Sequence, residues 1–535
     1  MPRQHFTSHM IPVLRRATFA LLLVAYGSAA AQPAQDPTPS NETRFDVWEY
    51  RIEGNTLLST IEIERAVYPF LGPGRTESDV NAAVGALDKA YQGRGYRNVV
   101  LGIPEQQVDT GIVRLSVTEG KIGRIRVTGA RYFSQERILA EVPSLAPDKT
   151  PDFKQLQAEI TAVNQQPDRR ITPVLRAGQL PGTTDVDLTV DDRIPLHGAL
   201  ELNNRRSLNT TPLRLSGSLR YDNLFQREHS LGLQFQMTPQ ATDEVRVLSA
   251  SYTIPLASWN LTGYAISSRS NIGTAIGGTT VIGDGTILGV RASRRLPSER
   301  ASLSHTLTLG FDYKDFGENL LVNQQAGLQT PITYAPLSVS YNLFSEDKSG
   351  VTQASAGLIL ALRGIGDDQT AFDRRRFGAN PNFIIVKSEL QRVQNLPNGF
   401  ALMGRLEVQA ADQPVISNEQ FFLGGLDSVR GYFEVESLGD YGGRTSLELR
   451  TPRITLLPKD FDMRAHGFFD AGAAGLHQAL PGQLSPPSLA STGFGFRLRY
   501  AQLVSLNTDV AWPIRSTPNT SAWSPRVLFS ASVQF

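Results

Sequence analysis

Two short runs hold the residue types best suited to a specific polar contact. Leu423-Gly424-Gly425-Leu426-Asp427-Ser428-Val429-Arg430-Gly431-Tyr432 leads towards Gly439, Gly442 and Gly443, and Phe468-Phe469-Asp470-Ala471-Gly472 follows it. A planar guanidinium can give two parallel hydrogen bonds to a carboxylate, and a glycine beside it permits a tight backbone turn. Arg430 and Asp470 are of the right types for such a pair, but they are equally the types of a charged loop and a solvated strand. Catalytic groupings are not found. His197, His229, His305, His466 and His477 are scattered, with no H-E-x-x-H, no G-x-S-x-G and no phosphate-cradling glycine loop. Glu448 near Arg450 reads as ion-paired or solvated. The chain has no cysteine, which removes disulfides, thiol catalysis and thiolate metal sites together. No nucleotide, metal or other cofactor site is visible, so no enzyme activity is expected. A net charge of +1 gives nucleic acid no support as a partner.

Such residues need a frame, and residues 195–535 read as strands of a barrel. Leu231, Leu233, Phe235 and Met237 alternate with Gly232, Gln234, Gln236 and Thr238, and Leu307, Leu309, Phe311 and Tyr313 alternate with Thr308, Gly310, Asp312 and Lys314. Phe494, Phe496, Leu498 and Tyr500 interleave with Gly495, Arg497 and Arg499; two arginines on one strand face imply a solvated lumen rather than a dry core. The final run, Val527, Phe529, Ala531, Val533 and Phe535, is a strand with one apolar face ending on an aromatic, which points to a bacterial outer membrane. Sixteen strands would give about 21 residues per strand and loop, although fourteen or eighteen fit as well.

Residues 46–120 and 121–194 read as two copies of one small α/β unit ordered strand, helix, helix, strand, strand. Matching strands end at Gly54 and Gly129. Val80, Val84, Leu87 and Tyr91 share one helix face, as do Phe153, Leu156, Ile160 and Val163. Val113, Leu115 and Val117, then Val186, Leu188 and Val190, return to strand alternation. Ahead of both units, Arg15 and Arg16 precede an apolar run from Ala17 to Tyr26 and the small residues Ala29-Ala30-Ala31. Residues 1–31 are therefore expected to be a cleaved signal peptide, and 32–45 a short linker.

Five landmarks in this half, Gly54-Asn55-Thr56, Gly93-Arg94-Gly95-Tyr96, Ile103-Pro104-Glu105-Gln106, Val117-Thr118-Glu119-Gly120 and Leu180-Pro181-Gly182-Thr183-Thr184-Asp185, resemble those of the paired periplasmic POTRA domains of two-partner secretion transporters of the hemolysin-activator type. The two barrel runs resemble the V-R-G-Y/F tip of a loop folded into the lumen, and the F-x-D-x-G strand motif that receives it, in the POTRA-bearing outer-membrane superfamily. Carried over, Val429, Arg430, Gly431 and Tyr432 form the tip within a loop near 423–443. Phe468, Asp470 and Gly472 form its seat, and Phe535 is the aromatic read by the barrel assembly machinery.

The resemblance implies two β-α-α-β-β POTRA domains in the periplasm, followed by a sixteen-stranded transmembrane antiparallel β-barrel among outer-membrane lipids. It implies export of a large, unfolded, β-helix-rich partner exoprotein through the lumen to the cell surface. The alternatives are an assembly factor that inserts other barrels, which resembles chains with three to five POTRA domains, and a passive porin, which needs none. Related transporters often carry a plug helix before the first POTRA domain. Pro33, Pro37 and Pro39 make the segment here a poor helix former, so plugging is expected to be absent or left to the folded loop.

Overall fold

The computed structural model describes residues 43–108, 110–208, 210–269, 274–276, 279–281, 283–317 and 330–535. The expected signal peptide and most of the linker lie outside them.

The first compact unit, ending at Gly120, contains β1 (Phe45–Val47), β2 (Glu49–Glu53), α1 (Thr60–Val67), β3 (Gly72–Arg75), α2 (Glu77–Gly93), β4 (Val99–Gly102) and β5 (Ile112–Glu119). β2, β5 and β4 form a sheet in that order, with β2 parallel to β5. Val80, Leu87 and Tyr91 from α2 bury against Val113, Leu115 and Val117 from β5, so the helical stripe and the strand alternation meet as one core. The sequence landmarks are polar braces of this unit. Glu119 accepts from Thr56 N at 2.8 Å and Leu57 N at 3.0 Å, and Asn55 Oδ1 accepts from Leu58 N at 3.0 Å and the Tyr91 hydroxyl at 2.6 Å. Arg94 pairs with Glu62, and together with Ser59 it holds the Glu62 carboxyl down to about 2. Gly54 has φ +91°, and a Cβ there would lie 2.2 Å from Val117 O, so only glycine fits. The β1–β3 pair was not expected. β3 is Gly-Pro-Gly-Arg, a composition with no strand signature, and Asp46 secures it by accepting from Gly74 N at 2.9 Å.

The second unit opens with β6 (Lys121–Thr128), α3 (Gln135–Ala140), α4 (Phe153–Val163), β7 (Arg169–Ala177) and β8 (Thr183–Asp192), its sheet ordered β6-β8-β7. It repeats the same logic. Gly129 has φ +89° and stands 2.2 Å, Cβ to oxygen, from Val190 O, while Asp192 takes the place of Glu119 by accepting from Arg131 N and Tyr132 N.

The same unit continues into the barrel. Its strands begin with β9 (Leu196–Asn203), β10 (Arg214–Leu224), β11 (His229–Met237), β12 (Arg246–Leu256) and β13 (Trp259–Arg269). A small hairpin, β14 (Thr274–Ile276) and β15 (Thr279–Val281), stands apart from it. Then follow β16 (Gly285–Arg295), β17 (Leu303–Phe316), β18 (Ile332–Asp347), β19 (Gly350–Gly366), helix α5 (Gln369–Arg375), β20 (Ile384–Asn395) and β21 (Ala401–Ala411). A second inserted hairpin, β22 (Phe421–Leu423) and β23 (Ser437–Gly439), precedes β24 (Tyr441–Arg450), β25 (Phe461–Gly475), β26 (Leu489–Tyr500), β27 (Val504–Pro513) and β28 (Arg526–Gln534). Sixteen antiparallel strands close when β28 pairs with β9. Exposed Leu233, Leu248, Leu309, Phe311, Leu406, Leu447 and Phe494 face outward, whereas Gln236, Ser249, Asp312, Lys314, Gln409 and Glu448 are buried inside, which is the alternation expected of a lipid-facing barrel. At the rim away from β6–β8, α5 and residues 412–420 fold into the mouth. Phe372, Val415 and Ile416 pack there against Tyr264, Ile287, Phe316 and Tyr334 from the wall.

Candidate functional site

The loop joining β21 to β24 enters the lumen as the β22–β23 hairpin, whose connecting segment carries Val429–Tyr432. Val429 and Tyr432 are buried with Phe421, Leu423 and Leu489 in a small apolar core, and the Tyr432 hydroxyl lies 2.9 and 2.8 Å from the carbonyl oxygens of Ala490 and Arg515. Gly431 has φ +91° and passes so close to β27 that a Cβ would stand 3.2 Å from Pro513 Cδ. These contacts hold the tip against the wall and leave the Arg430 side chain, 7% exposed, pointing at β24 and β25.

There it meets Asp470. Arg430 Nε donates to Asp470 Oδ2 at 2.7 Å and Nη2 to Oδ1 at 2.9 Å, while the Arg430 backbone N–H adds a third bond to Oδ2 at 3.2 Å. Phe468, two residues earlier on the same strand face, lies beneath the guanidinium, with Cζ 3.4 Å from its ring centroid. Gly472 completes the motif, because a Cβ there would lie 2.6 Å from Leu423 Cδ2 and displace the hairpin. The structure thus brings together Val429, Arg430, Gly431 and Tyr432 with Phe468, Asp470 and Gly472. Phe535 is elsewhere, at the barrel seam: its N–H donates to Gly198 O at 3.0 Å, its carbonyl accepts from Gly198 N at 3.1 Å, and the residue is 69% exposed.

Asp470 is not the sole acceptor. Arg430 Nη1 also reaches Glu448 Oε2 at 3.3 Å and lies 3.6 Å from Asp509 Oδ2. Glu448 is shared with Arg450 Nε at 2.7 Å and Arg497 Nη2 at 2.8 Å, and Asp509 with His466 Nε2 at 2.6 Å. Ser446 Oγ donates to Asp470 Oδ1 at 2.6 Å. Strand register explains the grouping, since Ser446 pairs across with Asp470, Glu448 with Phe468, Gly493 with Phe468 and Gly495 with Asp509. Alternate residues on four neighbouring strands therefore present one charged patch to the lumen. Along the chain Glu448 stands two residues from Arg450, but no spacing connects either of them, or His466 and Asp509, to the tip. The i, i+2 spacing of Ser446, Glu448 and Arg450 was the available signal.

A barrel with an apolar outer face, a charged lumen, a loop folded against its inner wall and an α/β unit of POTRA type defines a class, the POTRA-bearing outer-membrane barrels. Within it, residues 182–498 match the family described as haemolysin secretion/activation protein ShlB/FhaC/HecB, and residues 45–120 match the ShlB-type POTRA domain. The chain belongs to this haemolysin secretion/activation family and is an outer-membrane secretion transporter. It is 23% identical over 415 residues to the outer membrane transporter CdiB of Dickeya dadantii (strain 3937), covering 76% of this chain and 72% of that protein. The heme/hemopexin transporter protein HuxB of Haemophilus influenzae (strain Rd) is 20% identical over 482 residues, covering 87% of this chain and 83% of its own length. Among solved structures, CdiB from Escherichia coli superposes with a TM-score of 0.63 at 19% identity, covering 94% and 93% of the two chains, a likeness of fold.

Proposed function

We propose that this transporter recognises one unfolded partner exoprotein with periplasmic POTRA domains and exports it through the barrel to the cell surface. The observation that carries this reading is the pairing of a charged, loop-filled lumen with sheets whose outer strands are open. β4 lies at the edge of β2-β5-β4 with Val100 exposed, and β7 lies at the edge of β6-β8-β7 with Val174 and Leu175 exposed. An open edge offers main-chain hydrogen bonds to an extended polypeptide whatever its sequence, while side chains beside it supply selectivity. Such a polypeptide would replace the tip loop in a lumen already lined with water-compatible groups. Folding of the partner outside the cell would draw the rest through, with no nucleotide consumed at the membrane.

The test is removal of residues 45–120. The truncated chain keeps every barrel strand, so it is expected to insert as a heat-modifiable barrel while surface delivery of the partner is lost. Normal delivery by the truncated chain would overturn the recognition step.

A further inference from the structure

The joint between the β6–β8 unit and the barrel holds a cluster that the tip-loop mechanism does not use. Asp168, just before β7, has a side chain that is 0% exposed. His197 on β9 places Nε2 2.8 Å from Asp168 Oδ2 and 3.5 Å from Asp222 Oδ2 on β10, and one donor atom from each of the three residues lies within 4.8 Å of the others. The outer oxygens are already steadied. Arg193 Nε bonds Asp168 Oδ1 at 2.9 Å and Ser230 Oγ donates to Asp222 Oδ1, whereas Arg220 Nε bonds the inner oxygen, Asp222 Oδ2, at 2.8 Å. Both arginine side chains are more than half exposed, at 66% and 55%.

A carboxylate with no solvent exposure needs a strong counter-charge, and a guanidinium lying mostly in water is a weak one. Geometry indicates what fits better. Zinc holds imidazole nitrogen and carboxylate oxygen at about 2.0–2.2 Å, so neighbouring ligands on its tetrahedron stand roughly 3.3–3.5 Å apart. The two separations from His197 Nε2 bracket that edge. The third, between the carboxylates, lies within 4.8 Å and would close by a turn of Asp222 away from the half-exposed Arg220. One nitrogen and two oxygens with a fourth position left for water form a set suited to a borderline divalent cation, and Arg193 and Ser230 on the outer oxygens are the kind of outer contacts that orient ligands.

We propose that Asp168, His197 and Asp222 bind one divalent cation of the zinc type. The ion would staple the β6–β8 unit to the first two barrel strands, adding to the contacts that already join them: Asn223 Nδ2 and Gln226 Nε2 both donate to Tyr132 O at 3.0 Å, and Arg169 pairs with Glu228 at 2.8 Å.

The experiment uses the tag-free full chain in detergent, stripped with chelator, titrated with Zn2+ and desalted before metal analysis. Co2+ serves as an optical probe of four-coordinate geometry. The wild type is expected to retain one equivalent of zinc and to give the tetrahedral cobalt spectrum. His197→Gln and Asp222→Asn should each weaken binding at least tenfold while the barrel stays heat-modifiable, and His305→Gln should change nothing. No retained equivalent in the wild type would overturn the proposal and leave a histidine hydrogen-bonded between two aspartates. Equal retention by His197→Gln and Asp222→Asn would overturn it too, by placing the ion elsewhere. Should both variants fail to fold, the wild-type stoichiometry and cobalt spectrum decide alone.

Discussion

Replacing Arg430 by alanine should unseat the tip loop and abolish or sharply reduce export, and the geometry gives an order of severity. Without Arg430, Asp470 loses both guanidinium bonds and keeps Ser446 Oγ as its side-chain donor, while Glu448 and Asp509 keep Arg450, Arg497 and His466. Stranding one partner of a buried ion pair costs about 3–5 kcal/mol. Without Asp470, by contrast, Arg430 still faces Glu448 at 3.3 Å, Asp509 at 3.6 Å and the Phe468 ring. The loss there is nearer that of a hydrogen bond to a charged group, about 1.5–3 kcal/mol. Arg430→Ala is therefore expected to be the more damaging single change.

The double variant should be no worse than Arg430→Ala, because deleting Asp470 after the arginine has gone removes the stranded carboxylate. Arg430→Lys keeps the charge but not the fork, so it should fall between wild type and Arg430→Ala. Partner secretion, barrel level in the membrane and protease cleavage within 423–443 should be measured for all four variants. Cleavage should rise in the order wild type, Asp470→Ala, Arg430→Ala, with barrel level nearly constant because the strand ladder keeps its backbone bonds. Additive losses, a worse phenotype for Asp470→Ala, or wild-type export by Arg430→Ala would refute the reasoning.

Two further changes test other parts of the molecule. A polar residue in place of Phe535 should lower the amount of heat-modifiable barrel, since the exposed residue is offered to lipid at the seam where β28 meets β9; wild-type accumulation would contradict this. Arg376→Ala should loosen the far-rim closure by about 1.5–3 kcal/mol, because Arg376 pairs with buried Asp440, which also accepts from Val415 N at 3.1 Å and His477 N at 2.7 Å and so ties three loops together; single-channel conductance should rise, and an unchanged trace would show that the rim is held otherwise.

The parts of this fold that were legible in the sequence are those governed by period. Leu307, Leu309, Phe311 and Tyr313 on β17 declare their outward face by alternation alone, and Val80, Leu87 and Tyr91 declare the buried face of α2. What period cannot supply is register between strands. Whether Glu448 lies opposite Phe468 or two residues away is decided by how β24 slides on β25, and that shift determines whether Glu448 reaches Arg430. Asp509 and His466 were hidden for the same reason. The Asp168, His197 and Asp222 cluster joins a loop to two strands, so no spacing along the chain announces it. β3 escaped because its Gly-Pro-Gly-Arg composition belongs to a turn.

On the proposed export route the tip and its seat must be firm at rest and still able to part, and a charged pair beside a polar lumen meets both needs. A mutation that deletes one side takes the best-matched partner from a charge that stays buried, which is why substitution is costly. Withdrawal of the intact loop is a different process. Arg430 leaves a patch already furnished with Arg450, Arg497, His466 and Ser446, and lumen water can enter the space it vacates. Both charges then gain solvent as they lose each other, so the net cost of separation approaches that of a solvated pair, about 0–1 kcal/mol. The remaining resistance is the burial of Val429 and Tyr432, each worth roughly 1.5–3 kcal/mol, which an entering polypeptide with its own apolar side chains can repay. On this route the wall need contribute nothing to the balance, since the barrel ladder closes without the β22–β23 hairpin as a member. A latch of polar pairs over a few apolar anchors can thus open for a passenger without any strand of the barrel letting go.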